Sequence, residues 1–284
     1  MRVLIAAIVL AAPCFAANFS GASALEYAKR AVAFGPRPPG SEANRKLAAY
    51  IASQVKATGA ELIEDAFVAK TPKGEIAMKN IIAKFPGKSG KAIVITGHFD
   101  TKLFPGRKFV GANDGGSSTG LLLELAHAMA HQPRVDDLYL VWFDGEEAIR
   151  EEWEGEDNLY GSRHLGERWR KDGTLARIKA LINVDMIGDK HLNIKREMQG
   201  NARVRDVVWQ TAAKLGYQAY FTDETINEDD DHMPFVKMGV PAIDIIDVDY
   251  PPWHKDEDTL DKISAQSLDI VGTVVQEAIH RLEL

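Results

Sequence analysis

The sequence predicts a single α/β domain with a largely parallel central β-sheet flanked by helices. Three observations predict it: short apolar runs rich in β-branched residues recur along the chain, helical patterns lie between them, and several runs end on His, Asp or Glu. Strands separated by helices are joined by crossovers, which favours parallel pairing and covers both faces of the sheet.

The N-terminal residues stand apart from this pattern. Arg2, the apolar run 3–12 and Cys14-Phe15-Ala16 have the layout of a secretory signal peptide, with cleavage expected after Ala16 and a catalytic domain of residues 17–284. The run is shorter than the roughly 20 apolar residues of a spanning helix, and no later stretch approaches that length, so a soluble product, secreted or periplasmic, is expected, with no membrane partner. Pro13 stands where a lipoprotein signal wants a small residue, which disfavours lipidation of Cys14. Cys14 is the only cysteine, so the mature chain can form no disulfide and carry no catalytic thiol. The formal charge of −7 becomes −8 once Arg2 is lost, and this argues against a nucleic-acid partner held by phosphate contacts.

Residues 22–33 and 42–58 read as helices, separated by the helix-breaking Phe34-Gly35-Pro36-Arg37-Pro38-Pro39-Gly40, with Ser41 placed to cap the second. Central strands are expected at 81–85, 92–96, 138–143, 180–184 and 242–246, with a turn at 86–91. Helices are expected at 117–130, 160–171, 202–215 and 264–282. No repeat, low-complexity tract or linker divides the chain.

The chemistry lies at the strand ends. Gly97-His98-Phe99-Asp100, Phe143-Asp144-Gly145-Glu146-Glu147 and Asn183-Val184-Asp185 each end an apolar run in metal-ligand residue types. In open α/β sheets, side chains just past the carboxyl ends of strands converge on one crevice. Asp114, in Gly111-Ala112-Asn113-Asp114-Gly115-Gly116, and His254, in Pro252-Trp253-His254, complete a set of carboxylates and imidazoles that zinc accepts. An arbitrary Glu-Glu pair is usually a solvated turn, and His98 or Asp185 alone would be an ordinary structural residue. At a strand end, however, one carboxylate of Glu146-Glu147 can bind a metal while its neighbour moves protons.

These residues occur in the order seen in the zinc-aminopeptidase family, and the resemblance covers most of the mature chain. Within it the sequence looks like a glutaminyl cyclase through Phe109-Val110-Gly111-Ala112-Asn113-Asp114, Phe143-Asp144-Gly145-Glu146-Glu147-Ala148, Asn158-Leu159-Tyr160-Gly161-Ser162-Arg163-His164-Leu165, Asp230-Asp231-His232-Met233-Pro234-Phe235 and Trp253-His254. The resemblance implies one zinc held by Asp114, Glu147 and His254, Glu146 as proton carrier assisted by Asp230, and Trp253 with Trp153 walling the substrate pocket. It places Asp185 in a carboxylate hydrogen-bond network, and it implies peptide or protein N-termini as substrates. Asp244 departs from the pattern, since animal cyclases commonly have histidine there.

Two other functions compete. A two-zinc aminopeptidase would use His98 and Asp185 with a bridging Asp114 for a second ion, and Glu146 would activate water. Gly116-Ser117-Ser118-Thr119-Gly120 matches a serine-nucleophile pattern, but it follows a polar loop rather than a strand and reads as a helix start whose small residues allow close packing. His127 and His131, four apart on a helix, lack the glutamate of a zinc-helix motif and are expected to be surface residues. Asn18-Phe19-Ser20 fits a glycosylation pattern beside the cleavage site.

Overall fold

The computed structural model describes residues 18–284, so the expected signal peptide and its expected cleavage after Ala16 lie outside the described residues. In chain order the elements are α1 (Gly21–Val32), α2 (Glu42–Ala57), β1 (Glu61–Thr71), β2 (Gly74–Phe85), β3 (Ala92–His98), α3 (Gly116–Met129), β4 (Asp137–Phe143) and α4 (Tyr160–Asp172). They continue with β5 (Ile178–Asp185), β6 (Ile194–Glu197), α5 (Ala202–Lys214), β7 (Phe221–Ile226), α6 (Met233–Lys237), β8 (Ala242–Ile246) and α7 (Ala265–Glu283). Caps fix several helix starts: Ser20, Ser41, Asn201 and Ser264 each accept the backbone N–H three residues on. The cap expected at Ser41 is present, donated by Asn44 N at 3.1 Å.

The main sheet has the order β1-β2-β4-β3-β5-β8. β4, β3, β5 and β8 are mutually parallel, whereas β2 runs antiparallel to both β4 and β1. The sheet is therefore mixed, which corrects the expectation of a largely parallel one. Thr71 and Gly74 close a tight hairpin, and tight turns join antiparallel strands only. A second sheet pairs β6 with β7 in parallel and was not anticipated.

Alternation along the strands sends side chains to two cores. Leu138, Leu140 and Trp142 of β4 face the layer formed by α1, α2, α3, α5 and α7, while Tyr139, Val141 and Phe143 face α4 and α6. β3 and β4 are buried at every residue, which is why both read as continuous apolar runs. Close packing of α1 on α3 depends on Gly120, where a Cβ would come 2.4 Å from the Ala24 carbonyl oxygen. Among the described residues no helix is long and apolar enough to cross a membrane.

Candidate active site

Four parallel strands deliver the site from one edge. His98 is the last residue of β3 and Asp185 the last of β5, Glu146 and Glu147 follow β4, and the chain leaving β8 returns as the loop that carries His254. Asp114 arrives on the loop before α3. That helix starts at Gly115, whose left-handed conformation (φ 75°) leaves no room for a Cβ, which would lie 2.5 Å from the Asp100 carbonyl oxygen. Met186 (φ 48°) and His254 (φ 54°) are also left-handed, and both line the cleft. Backbone strain in non-glycine residues persists where surrounding structure enforces it.

Two donor sets share Asp114. His98 Nε2 lies 3.2 Å from Asp114 Oδ1 and 3.1 Å from Asp185 Oδ1. His254 Nε2 lies 3.1 Å from Glu147 Oε1 and 3.4 Å from Asp114 Oδ2. Ligands about 2.0 Å from a tetrahedral zinc are separated by about 3.3 Å, so either set fits such an ion. In each, the donor atoms of all three residues lie within 4.8 Å of one another. Asp114 Oδ2 and Glu147 Oε2 are buried without a hydrogen-bond partner, as expected of atoms shaped to meet a cation. The chain thus carries a metal-binding donor set.

The surrounding shell orients these groups. Asp100 accepts the backbone N–H groups of Glu146 (3.1 Å) and Glu147 (3.3 Å), fixing the turn that presents both carboxylates. Asp258 accepts the N–H groups of Asn113 (2.8 Å) and Asp114 (3.1 Å), and the Tyr250 hydroxyl donates to it at 2.6 Å. The Arg37 guanidinium, fully buried, donates to the carbonyls of Phe99, Val110 and Gly111, tying the segment after His98 to the Asp114 loop. The His254 ring is stacked on Trp253 at 4.3 Å and meets Phe104 and Phe109 edge-on at 5.6 and 5.9 Å. His232 Nε2 lies 3.3 Å from Glu197 Oε2, tying the segment that carries Asp230 and Asp231 to the end of β6.

Burial dominates the electrostatics. It raises Glu146 well above the usual carboxylate range, with Glu147, Asp230 and Asp231 pushing the same way and His98 opposing. Asp244 is likewise raised by burial and by the charges of Asp230 and Asp185, and it accepts from Asn183 Nδ2 at 3.1 Å. Burial pushes Asp185 to about 7 against the pull of His98. Asp114 is held low despite burial, by the His98 hydrogen bond and the charge of His254. Carboxylates with separated proton affinities can divide acid, base and ligand roles among themselves.

Every expected site residue reaches this place. Asp114, Glu146, Glu147, Trp153, Asp185, Asp230, Trp253 and His254 line one cleft of about 470 Å³, with His98 directly beneath. Asp230 is buried rather than part of a solvated acidic loop, and Trp253 opens onto the cleft with 53% of its surface exposed rather than packing under α7. The serine-nucleophile alternative falls away: Ser117 donates to the Asn113 carbonyl and Ser118 to that of His98, inside α3 as the helix-start reading expected. His127, expected at the surface, is half-buried and stacked on Tyr27, while His131 is exposed. Asp258, Arg37 and the Glu197–His232 pair were missed. Their positioning roles rest on contacts distant in sequence, and no local pattern announces such contacts.

Residues 80–279 match the profile of peptidase family M28, which is more than half of the chain. The chain belongs to this family. It is 41% identical to the glutaminyl cyclase of an Acidobacteriales bacterium, whose crystal structure superposes with a TM-score of 0.90 over 98% of this chain and 99% of that one. It is 28% identical to the glutaminyl-peptide cyclotransferase of Drosophila melanogaster over 268 residues, 85% of this chain and 75% of that protein. A leucine aminopeptidase precursor from Bacteroides thetaiotaomicron shares the fold, at 27% identity and a TM-score of 0.86 over 93% of this chain and 98% of that one. Within its family the chain is an enzyme of the glutaminyl cyclase group.

Proposed function

We infer that this enzyme is a glutaminyl-peptide cyclotransferase, which closes N-terminal glutamine of peptides to pyroglutamate and releases ammonia. The observation that carries the reading is the pairing, in one cleft, of a metal-competent set (Asp114, Glu147, His254) with the buried, unligated carboxylate Glu146. Likeness to cyclases at both sequence and structure level supports it. In the reaction the substrate's α-amine nitrogen bonds to its own γ-carboxamide carbon, and the bond from that carbon to the amide nitrogen breaks.

Glu146 takes the proton from the attacking amine and returns it to the departing nitrogen, so ammonia leaves and no water is consumed. Its raised proton affinity suits this return. Asp230, buried at the cleft wall within the charge field of Asp244, steadies the proton's path. Asp114, Glu147 and His254 would hold one zinc per chain, which when bound would polarise the γ-carbonyl. His98 and Asp185 form a hydrogen-bonded support under Asp114, and Trp253 and Trp153 wall the glutamine pocket. Residues 1–16 act as an export signal, and residues 17–284 form the mature secreted or periplasmic catalytic domain.

A two-zinc aminopeptidase reading has one observation in its favour, the second donor set of His98, Asp114 and Asp185. One experiment separates the two. The mature enzyme is incubated with glutamine-initiated and alanine-initiated peptides, products are read by mass spectrometry, and metal is counted. Ammonia loss from the glutamine peptide alone, with one zinc, is expected. Free amino acids with two zincs would overturn the cyclase reading.

A further inference from the structure

The rim of the cleft carries a charge pattern that the cyclisation chemistry does not use. Of the fifteen residues lining the cleft, none is Lys or Arg and nine are Asp or Glu. Five of the nine belong to the chemistry described above. The other four are exposed and come from two separate segments: Glu151 and Glu152 follow β4, and Glu228 and Asp229 follow β7.

The two segments are held in place. Asp157 accepts the N–H groups of Ile149 (3.1 Å) and Arg150 (2.9 Å) and the Tyr160 hydroxyl (2.6 Å), which fixes the base of the first. Gln199 Nε2 donates to the Glu228 carbonyl and to Asp229 Oδ1, both at 3.1 Å, which fixes the second.

Most exposed carboxylates of this chain that could meet a Lys or Arg do so, as Glu26, Glu42, Glu64, Glu167, Asp223 and Asp256 show. Among the described residues no cation pairs with any of the four rim groups. Glu228 is raised by partial burial and then by Asp230, Asp229 and Glu197 against the pull of His232, so like charge outweighs opposite charge around it. Deeper in the same cleft, Asp230 Oδ2 is buried and has no hydrogen-bond partner, so the cavity is shaped for a ligand beyond this acidic edge.

We propose that the rim formed by Glu151, Glu152, Glu228 and Asp229 selects cationic substrates, namely peptides with lysine or arginine shortly after the N-terminal glutamine. The proposal rests on the cyclase reading for where the glutamine sits. With the N-terminal residue in the pocket, the following residues must leave between Trp153 and Trp253, past the carboxylates. Like-signed groups along a cleft with low-dielectric walls focus the field, which favours encounter with opposite charge and penalises glutamate-bearing peptides. The attraction acts through water and is screened by salt.

The test uses three glutamine-initiated peptides that differ at positions two to four, carrying lysine, serine or glutamate there. kcat/KM is measured at low and at high salt for the wild type and for the variant E151Q/E152Q/E228Q/D229N. The wild type is expected to favour the lysine peptide over the glutamate peptide by about ten-fold or more at low salt, with the preference shrinking at about 0.5 M salt. In the variant the ratio is expected to fall close to one, with the change mostly in KM. Equal rates on all three peptides, or a preference that survives in the variant, would overturn the proposal.

Turnover of the serine peptide by the wild type tests the cyclase reading separately. Should no peptide be cyclised, calorimetric binding of the same three still decides the rim: tighter lysine-peptide binding that the variant loses upholds it, and equal binding sinks it.

Discussion

On one side of Asp114 stand His98 and Asp185; on the other stand Glu147 and His254. His98 is sealed beneath the cleft and already makes close contacts to Asp114, Asp100 and the cleft-lining Asp185. The second pair opens to the cleft: His254 retains 20% of its side-chain exposure, and one oxygen of Glu147 has no hydrogen-bond partner. Both sets have ligand-like spacing, so spacing alone does not rank them. Access of the histidines does, because a catalytic metal must keep a position open to substrate, and of the two imidazoles only His254 lines the cleft that substrate enters.

The largest effect expected lies between the sets. Glu146→Gln removes the proton carrier and no ligand, so kcat should fall by about 1000-fold while zinc content stays at wild-type level. Zinc loss in that variant, measured by atomic emission, would mean that Glu146 is a ligand. The two sets are then compared directly by removing one histidine from each. His254→Ala should weaken zinc binding by at least about 100-fold and lower activity with it, whereas His98→Ala should retain one zinc per chain and lose activity by about ten-fold through misplacement of Asp114. Chelator competition reads both. An equal loss of affinity would make the His98 set a metal site too.

A smaller effect is expected from a buried carboxylate remote from both sets. Glu124 on α3 accepts the Ser20 N–H at 3.2 Å, and burial raises its carboxyl to about 7. An acid raised on folding adds nothing below its unfolded pKa near 4.5 and costs stability as pH climbs from there through its folded value. Wild type should therefore lose stability relative to Glu124→Gln between pH 5 and pH 8, by about 1–2 kcal/mol once solvent screening is allowed for. Thermal melts at the two pH values check this, and identical slopes for the two proteins would show that Glu124 titrates normally.

The parallel half of the sheet was legible because its strands are covered on both faces: 92–96, 138–143, 180–184 and 242–246 read as continuous apolar runs and are β3, β4, β5 and β8. Strand direction was not legible, since an apolar run has the same composition either way. The β1 edge was invisible for the opposite reason, as its residues stay largely exposed and Val68 shows 61% of its surface to water. At the site, metal-type residues at the strand ends stood out, and so did the Trp253-His254 pair. The groups that position them did not. Asp258 differs from any loop aspartate only because residues 113 and 114 present their N–H groups to it.

The left-handed backbone at His254 has a consequence for how this position would tolerate change. A residue with a Cβ pays about 1 kcal/mol or more to sit there, and glycine does not. Once the imidazole is gone, His254→Gly should melt above His254→Ala, the reverse of the order at most ordered positions. Evolutionary drift for stability alone would thus carry this site toward glycine, so the presence of histidine there records a pressure that acts on something other than folding.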